Sequence, residues 1–252
     1  MATNYNCISY TDDAGRDFLI LKTLASNIKL VSLYNESKTC QTVKESGYYG
    51  MNASFFNMPD STIRPCALHN IALQDGKTVG SEATFDNNYN YAKDGTVNVT
   101  GNSVICWSGS ALNCLNGINY STDAGIPASR NSWAQGGFGL YLCDRNWQTK
   151  FESEPNAGQY PVRGGSARTG ILVNRSTKYV YLFACRILTT TISELRSAMM
   201  AYAGLTEGGS AGNWAAIMTD GGRSAQLYSG EGSAIVANVR GVPQIIALKN
   251  KA

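Results

Sequence analysis

The 252-residue sequence holds a single histidine, His69, and none of its seven cysteines falls in C-x-x-C spacing. Structural zinc sites draw on Cys and His at short recurring intervals, so the common zinc motifs are excluded. Charge is scarce as well. Charged residues make up 15% and the formal net charge is only +3, against roughly 25% charged residues in an ordinary soluble domain. No Lys/Arg run exceeds two residues, so the basic footprint that binds a nucleic acid duplex is missing. No apolar stretch approaches the ~18 residues of a membrane-spanning helix. The opening "MATNYNCISYTDDAGRD" has neither the basic segment nor the apolar core of a secretory signal. The chain as written is therefore expected in the cytoplasm, or outside the cell if a signal has been removed.

What is present suits strands and tight turns: 43% hydrophobic residues, 14 tyrosines and 26 glycines. A compact fold of this length buries roughly 70–75% of its unfolded surface, so it needs no metal or disulfide for stability. No cofactor or metal is expected. The odd cysteine count leaves at least one thiol unpaired, and the dispersed cysteines read as small buried hydrophobes.

Along the chain, "DFLILKTLASNIKLVSLY" reads as one or two strands, and "GYYGMNASFF" ends in another. "HNIALQDGKTVG" is a hairpin turning at Asp75 and Gly76. Residues 86–104 are polar and turn-rich, with a second Asp-Gly at 94–95. "GGFGLYLCDRNW" is a strand entering a turn, and "ESEPNAGQYPVRGGSARTG" is a long aperiodic loop of the kind that is often functional. "GILVN" and "KYVYLFAC" flank a turn. One clear helix is expected near 192–203, where Thr191 and Glu194 form a capping box, apolar residues recur at helical spacing and Gly204 stops the run. "WAAIMTD" is a buried strand that delivers Asp220, and "AIVANVRGVPQIIAL" supplies closing strands. The expectation is one α+β domain over residues 1–252, with strand-rich mixed sheets and few helices.

Three motifs bear on chemistry. Gly208-Gly209-Ser210-Ala211-Gly212 matches G-x-S-x-G, but a nucleophile elbow needs a strand before it and a helix after it, the reverse of the order here. It reads as a loop. In "GMNASFFN", Asn52 is a polar residue in an apolar, small-residue setting, suited to hydrogen bonding at a pocket. "TDGGRS" places an acid, two glycines, a guanidinium and a hydroxyl within six residues. Consecutive amides of a Gly-rich turn can cradle an anion, Arg223 can clamp phosphate oxygens, and Asp220 can act as acid, base or nucleophile. His69 is either a structural residue or a general base.

Taken in order, "GMNASFFN", "HNIALQDGKTVG", "QGGFGLYL", "ARTGILVN", "TISELRSAMMAYAGL", "AAIMTDGGRSAQL" and "VRGVPQIIAL" resemble the phosphodiester glycosidase family over residues 50–252. That family shows an Asn-Gly-Gly-Phe-Phe-like segment, an Arg-Thr-Ala-like segment before a strand, an Asp-Gly-Gly-Gly-Ser segment and a closing Arg-x-Val-Pro. Here Ala53 and Ser54 replace two of those glycines and Arg223 a third. The resemblance implies hydrolysis of a sugar-1-phosphodiester, on a small molecule or a glycan, to free sugar and phosphomonoester. It implies Asp220 as the key carboxylate and His69 as a secondary proton carrier. Arg168, Arg223 and the amides of Gly221 and Gly222 would hold phosphate, Asn52 and Ser224 would orient substrate oxygens, and Arg240 would support the site or the fold. Glycosidases commonly use two carboxylates; the sequence does not name the second, and none of Asp75, Glu82 and Glu154 has a claim strong enough to choose it. A module that binds a nucleotide or sugar phosphate without turnover is the alternative, and a purely structural component is the third reading.

Overall fold

The computed structural model describes residues 4–34, 39–57, 66–79, 102–118, 123–185, 187–235 and 238–251. The expected turn at 94–95 and Glu82 lie outside them. The first half of the chain forms β1 (Tyr5–Thr11), β2 (Asp17–Leu24), β3 (Ile28–Ser32), β4 (Gly50–Asn52), β5 (Ala72–Gln74) and β6 (Lys77–Thr78). Then come β7 (Asn102–Trp107), β8 (Leu112–Ile118), β9 (Trp133–Gly139), the short helix α1 (Trp147–Ser153), β10 (Thr169–Asn174) and β11 (Tyr179–Cys185). Helix α2 (Ile192–Tyr202) precedes β12 (Trp214–Thr219), β13 (Gln226–Tyr228), β14 (Ser233–Ile235) and β15 (Gln244–Leu248).

A ten-stranded sheet runs β1-β2-β11-β10-β12-β9-β5-β6, with β7 joined to β9 and β8 to β7; a five-stranded sheet runs β14-β13-β4-β15-β3. All described pairings are antiparallel, which corrects the mixed sheets expected from sequence. Several strand pairs meet through tight turns, too short for the dozen-residue crossover that parallel neighbours need. The turn between β10 and β11 is one such case. Asn174 Oδ1 accepts from the amides of Ser176 and Thr177, both at 3.1 Å, and so replaces the bonds the strands no longer make.

Central strands bury both faces, which is why their sequences run apolar without alternation. Leu19 and Leu21 of β2, with Ile171 and Val173 of β10, face the smaller sheet and meet Met51, Leu227, Ile245 and Ala247 there. Phe18, Ile20, Leu172 and Phe183 face the other way, onto Ile192, Leu195, Ala198 and Met199 of α2. The period of two thus feeds two cores, one between the sheets and one under the helices. Each fully buried Leu, Ile, Phe or Met contributes about 1.5–3 kcal/mol. The expected capping box is formed: Thr191 Oγ1 accepts from the Glu194 amide at 3.2 Å, and Glu194 accepts from the Thr191 amide at 2.7 Å. Gly204 follows with φ +69°, the left-handed conformation that ends helices at low cost.

Five elements were not expected. Helix α1 buries only Phe151 fully and has no side-chain N-cap, so it leaves no periodic signature. β1, β7, β8 and β13 were also missed. β8, "LNCLNGI", is only partly buried and interrupted by two asparagines and a glycine, and β7 begins inside the stretch expected to be turn-rich, at Asn102.

Candidate active site

The neighbouring central strands β10 and β12 pair Thr169 with Thr219, and their threonine hydroxyls lie 2.8 Å apart. One residue past Thr219 the chain leaves the sheet at Asp220. Three bonds to other segments hold its backbone. The Asp220 amide donates to Ala53 O at 2.9 Å, and its carbonyl accepts from Asn52 Nδ2 and Thr169 Oγ1, both at 2.6 Å. Asn52, at the end of β4, is 1% exposed, and its Oδ1 accepts from the Gln226 amide at 3.0 Å. Its amide thereby couples the two sheets where the acid emerges.

The glycines that follow let the loop turn back against Ala167. A Cβ on Gly221 would stand 2.5 Å from Ala167 O, and Gly222 sits at φ +58°. The Gly222 amide donates to Ala167 O at 2.8 Å, and the Gly221 amide points to the Asp220 carboxylate. The two amides expected to cradle phosphate are therefore committed within the protein in this conformation. The same hydrogen bonds that close the loop consume them.

The Asp220 carboxylate is buried. It accepts from Ser224 and the Gly221 amide, while its Oδ2 has no hydrogen-bond partner among the described residues. Arg240 Nη2 is 3.7 Å from Oδ2. Burial dominates the carboxylate's acidity and pushes its pKa up to about 6, against the opposing pull of Ser224, Arg240, the Gly221 amide and Arg168. Ser224 is fully buried and accepts from Arg240 Nε at 2.8 Å, so guanidinium, hydroxyl and carboxylate form one chain. The Arg240 guanidinium lies over the Phe56 ring at 5.1 Å, and its backbone is held by Gln226 Nε2 at 3.0 Å.

Arg168, 6% exposed, adds positive potential at Asp220, but its Nε and Nη2 donate to Thr190 O and Gly164 O. Arg223 is exposed and turns outward, its Nε donating to Asn238 O at 3.0 Å. Its carbonyl accepts from the Arg240 amide, so it braces the loop that carries Arg240. His69 Nε2 is 2.8 Å from Asn57 Oδ1, and burial lowers its pKa to about 4. At neutral pH it is uncharged and a weak base, suited to hydrogen bonding rather than to donating a proton.

A cavity of about 10 Å³, room for little more than one water, has walls that include Phe55, His69, Asn70, Asn102, Phe138 and Tyr160. The Tyr160 ring is 4.7 Å from Phe55 and 5.4 Å from Phe138, and its hydroxyl acidity is suppressed first by burial and then by Asp220. Among the described residues, Asn70 Oδ1 and Asn102 Oδ1 are buried acceptors without hydrogen-bond partners. Nothing singled out Asn70, Asn102 or Tyr160 in the sequence, nor the buried chain of Ser54 with Gln135 and Gln244, which links the sheets at 3.0–3.1 Å, although Ser54 was named as a departure from the family pattern. Thr169 and Thr219 were missed too, although each directly adjoins a residue that was chosen.

Of the second carboxylates considered, Glu154 is 4% exposed and accepts from the Gly139 amide, Tyr141, and the amide and hydroxyl of Ser103 at 2.7–3.1 Å. It is saturated by the protein. The Asp75 carboxylate caps the Asn131 amide in an exposed turn. Ser210 is exposed in the turns between α2 and β12.

The fold is shared with a solved glycosidase. The catalytic domain of zebrafish N-acetylglucosamine-1-phosphodiester α-N-acetylglucosaminidase, in a form auto-inhibited by its pro-peptide, matches with TM-score 0.61 at 14% identity, over 98% of this chain and 82% of that one. At such identity the likeness is one of fold. A hypothetical protein from Synechocystis matches over 96% of this chain and 61% of its own, with TM-score 0.48 and 14% identity. A putative exported protein from Burkholderia pseudomallei matches over 98% and 57%, with TM-score 0.38 and 12% identity. No protein-family model matches the sequence, and no curated protein matches it.

Proposed function

We propose that this chain is a hydrolase that frees a sugar from a sugar-1-phosphodiester, with Asp220 as the carboxylate at the anomeric carbon. The observation that carries this is the Asp220 carboxylate itself: buried, flanked by Arg240 and Arg168, with one oxygen lacking a hydrogen bond among the described residues. With a pKa of about 6 it is mostly ionised at neutral pH. An ionised carboxylate stabilises the oxocarbenium-like transition state, as nucleophile or as base toward water. A phosphomonoester is a good leaving group, which lessens the need for a second acid and accords with Glu154 being saturated. Arg240 is the cation best placed to meet the departing phosphate. The Ser224 hydroxyl couples Arg240 to Asp220, and the acid's charge is thereby held until substrate arrives.

One observation favours a second reading. With the Gly221 and Gly222 amides and two nitrogens of Arg168 already committed, few donors remain for phosphate, as expected of a binder that has lost turnover. Incubating wild type and Asp220→Asn with a panel of sugar-1-phosphodiesters, nucleotide sugars included, separates the two. Sugar released by wild type alone supports the hydrolase. Depletion of a compound without cleavage supports the binder, and neither outcome in any compound refutes both.

A further inference from the structure

Cys40 and Cys66 form a close thiol pair that the proposed chemistry leaves unused. Their sulfurs are 3.2 Å apart, against about 2.05 Å in a disulfide, so side-chain rotation closes the remaining ~1 Å. The two thiols belong to different walls. Cys40 adjoins the bridge between Gln41 and Val242, and a Cβ on Gly241 would stand 2.6 Å from Cys40 O, so its segment packs directly beside Arg240. Cys66 lies on the return of the other wall. Its amide donates to Asn57 O, and the Asn57 amide donates to Ala67 O. That wall also carries His69, bonded to Asn57, and Phe56, which lies under the Arg240 guanidinium.

We propose that Cys40 and Cys66 form a reversible thiol–disulfide site that covalently joins the wall carrying Arg240 to the wall carrying Phe56 and His69. Exposure assigns the order of attack. Acidity alone points the other way, since the hydrogen bond between the two sulfurs raises the pKa of Cys40 and lowers that of Cys66. Glutathione disulfide, however, reaches only half-buried Cys40, Cys66 being 1% exposed, so Cys66 takes the Cys40 proton as Cys40 attacks. With glutathione disulfide as the oxidant, the Cys40 thiolate attacks one glutathione sulfur, forms a mixed disulfide and expels one glutathione thiolate. The Cys66 thiolate then attacks the Cys40 sulfur and expels the second. The protein loses two electrons and two protons, and one glutathione disulfide becomes two glutathione thiols. The resulting ring encloses β4 and Asn52, whose amide holds the Asp220 backbone. Oxidation therefore stiffens the Arg240 side of the site, whatever reaction the site performs.

The test is made on the native full chain, incubated with glutathione disulfide, alkylated, and mapped by non-reducing proteolysis and mass spectrometry. Wild type is expected to yield a peptide linking Cys40 to Cys66, and to keep five of its seven thiols alkylatable after denaturation. It should also melt at a higher temperature than the reduced form. Cys66→Ser is expected to retain glutathione on Cys40, because no second thiol resolves it. Cys40→Ser should leave Cys66 reduced. Half-exposed Cys7 and Cys114 serve as internal controls. Seven reactive thiols after oxidation, a mixed disulfide persisting on wild-type Cys40, or a cross-link through another pair would overturn the proposal. If Cys66→Ser does not fold, the wild-type map and Cys40→Ser decide it. None of these readouts depends on catalysis, so the outcome stands apart from that of the hydrolase assay.

Discussion

Replacing Asp220 with asparagine is expected to stabilise the protein, and by an amount that depends on pH. In the unfolded chain an aspartate titrates near 3.8; burial raises Asp220 to about 6 in the folded state. Between those values the folded protein binds the proton more tightly, so stability falls as pH rises through the window and stays reduced above it. The gap from 3.8 to about 6, at about 1.4 kcal/mol per pH unit, amounts to ~3 kcal/mol. Asparagine keeps the shape and an acceptor for Ser224 but does not titrate. The difference in unfolding free energy between Asp220→Asn and wild type should therefore widen by about 2.4 kcal/mol from pH 4 to pH 7.5, the rest of the total lying below pH 4. Glu154 and His69 also titrate abnormally, but they are present in both proteins and cancel. Urea denaturation followed by tryptophan fluorescence at four pH values measures the difference. A gap that is constant or narrows with rising pH refutes the claim that Asp220 is buried as a destabilising charge. A site that sacrifices stability for such a charge is also what catalysis by that carboxylate requires.

The sole histidine gives an isolated NMR signal: its ring resonances should stay flat from pH 8 to 5 and move only near pH 4, whereas a midpoint near 6.5 would contradict the buried, neutral assignment. Asn52→Ala leaves the Asp220 carbonyl and the Gln226 amide each short of a partner in a buried place, and should cost about 2–4 kcal/mol in urea denaturation. Gly139→Ala would put a Cβ 2.5 Å from Ser103 Oγ and 2.7 Å from Glu154 Oε1; a loss of about 1–3 kcal/mol is expected by the same assay, and a neutral effect would mean the Glu154 cluster is slack. Thr191→Ala should cost about 1 kcal/mol through loss of the α2 cap, with little change in any activity.

The sequence by itself determined those features whose causes are local. Thr191 and Glu194 announced α2 because a capping box lies within four residues. Asp75 with Gly76, and Asn174, announced their turns because the turn chemistry belongs to those residues alone. The loop holding Asp220 was legible because an acid and two glycines after a run of strand formers is chemically out of place. Pairing direction was not legible, since antiparallel and mixed sheets draw on the same short apolar strands. Nor was α1, which fully buries only Phe151, with half-buried Trp147 packed beside it. In the site, tertiary structure decided what each residue has left to offer. It set Arg240 beside Asp220 across twenty residues of sequence, turned Arg223 outward to Asn238, and spent the Gly222 amide on Ala167. Residue type fixes which hydrogen bonds a group can make. Which of them are already made depends on neighbours brought from other strands, and only the folded chain supplies those.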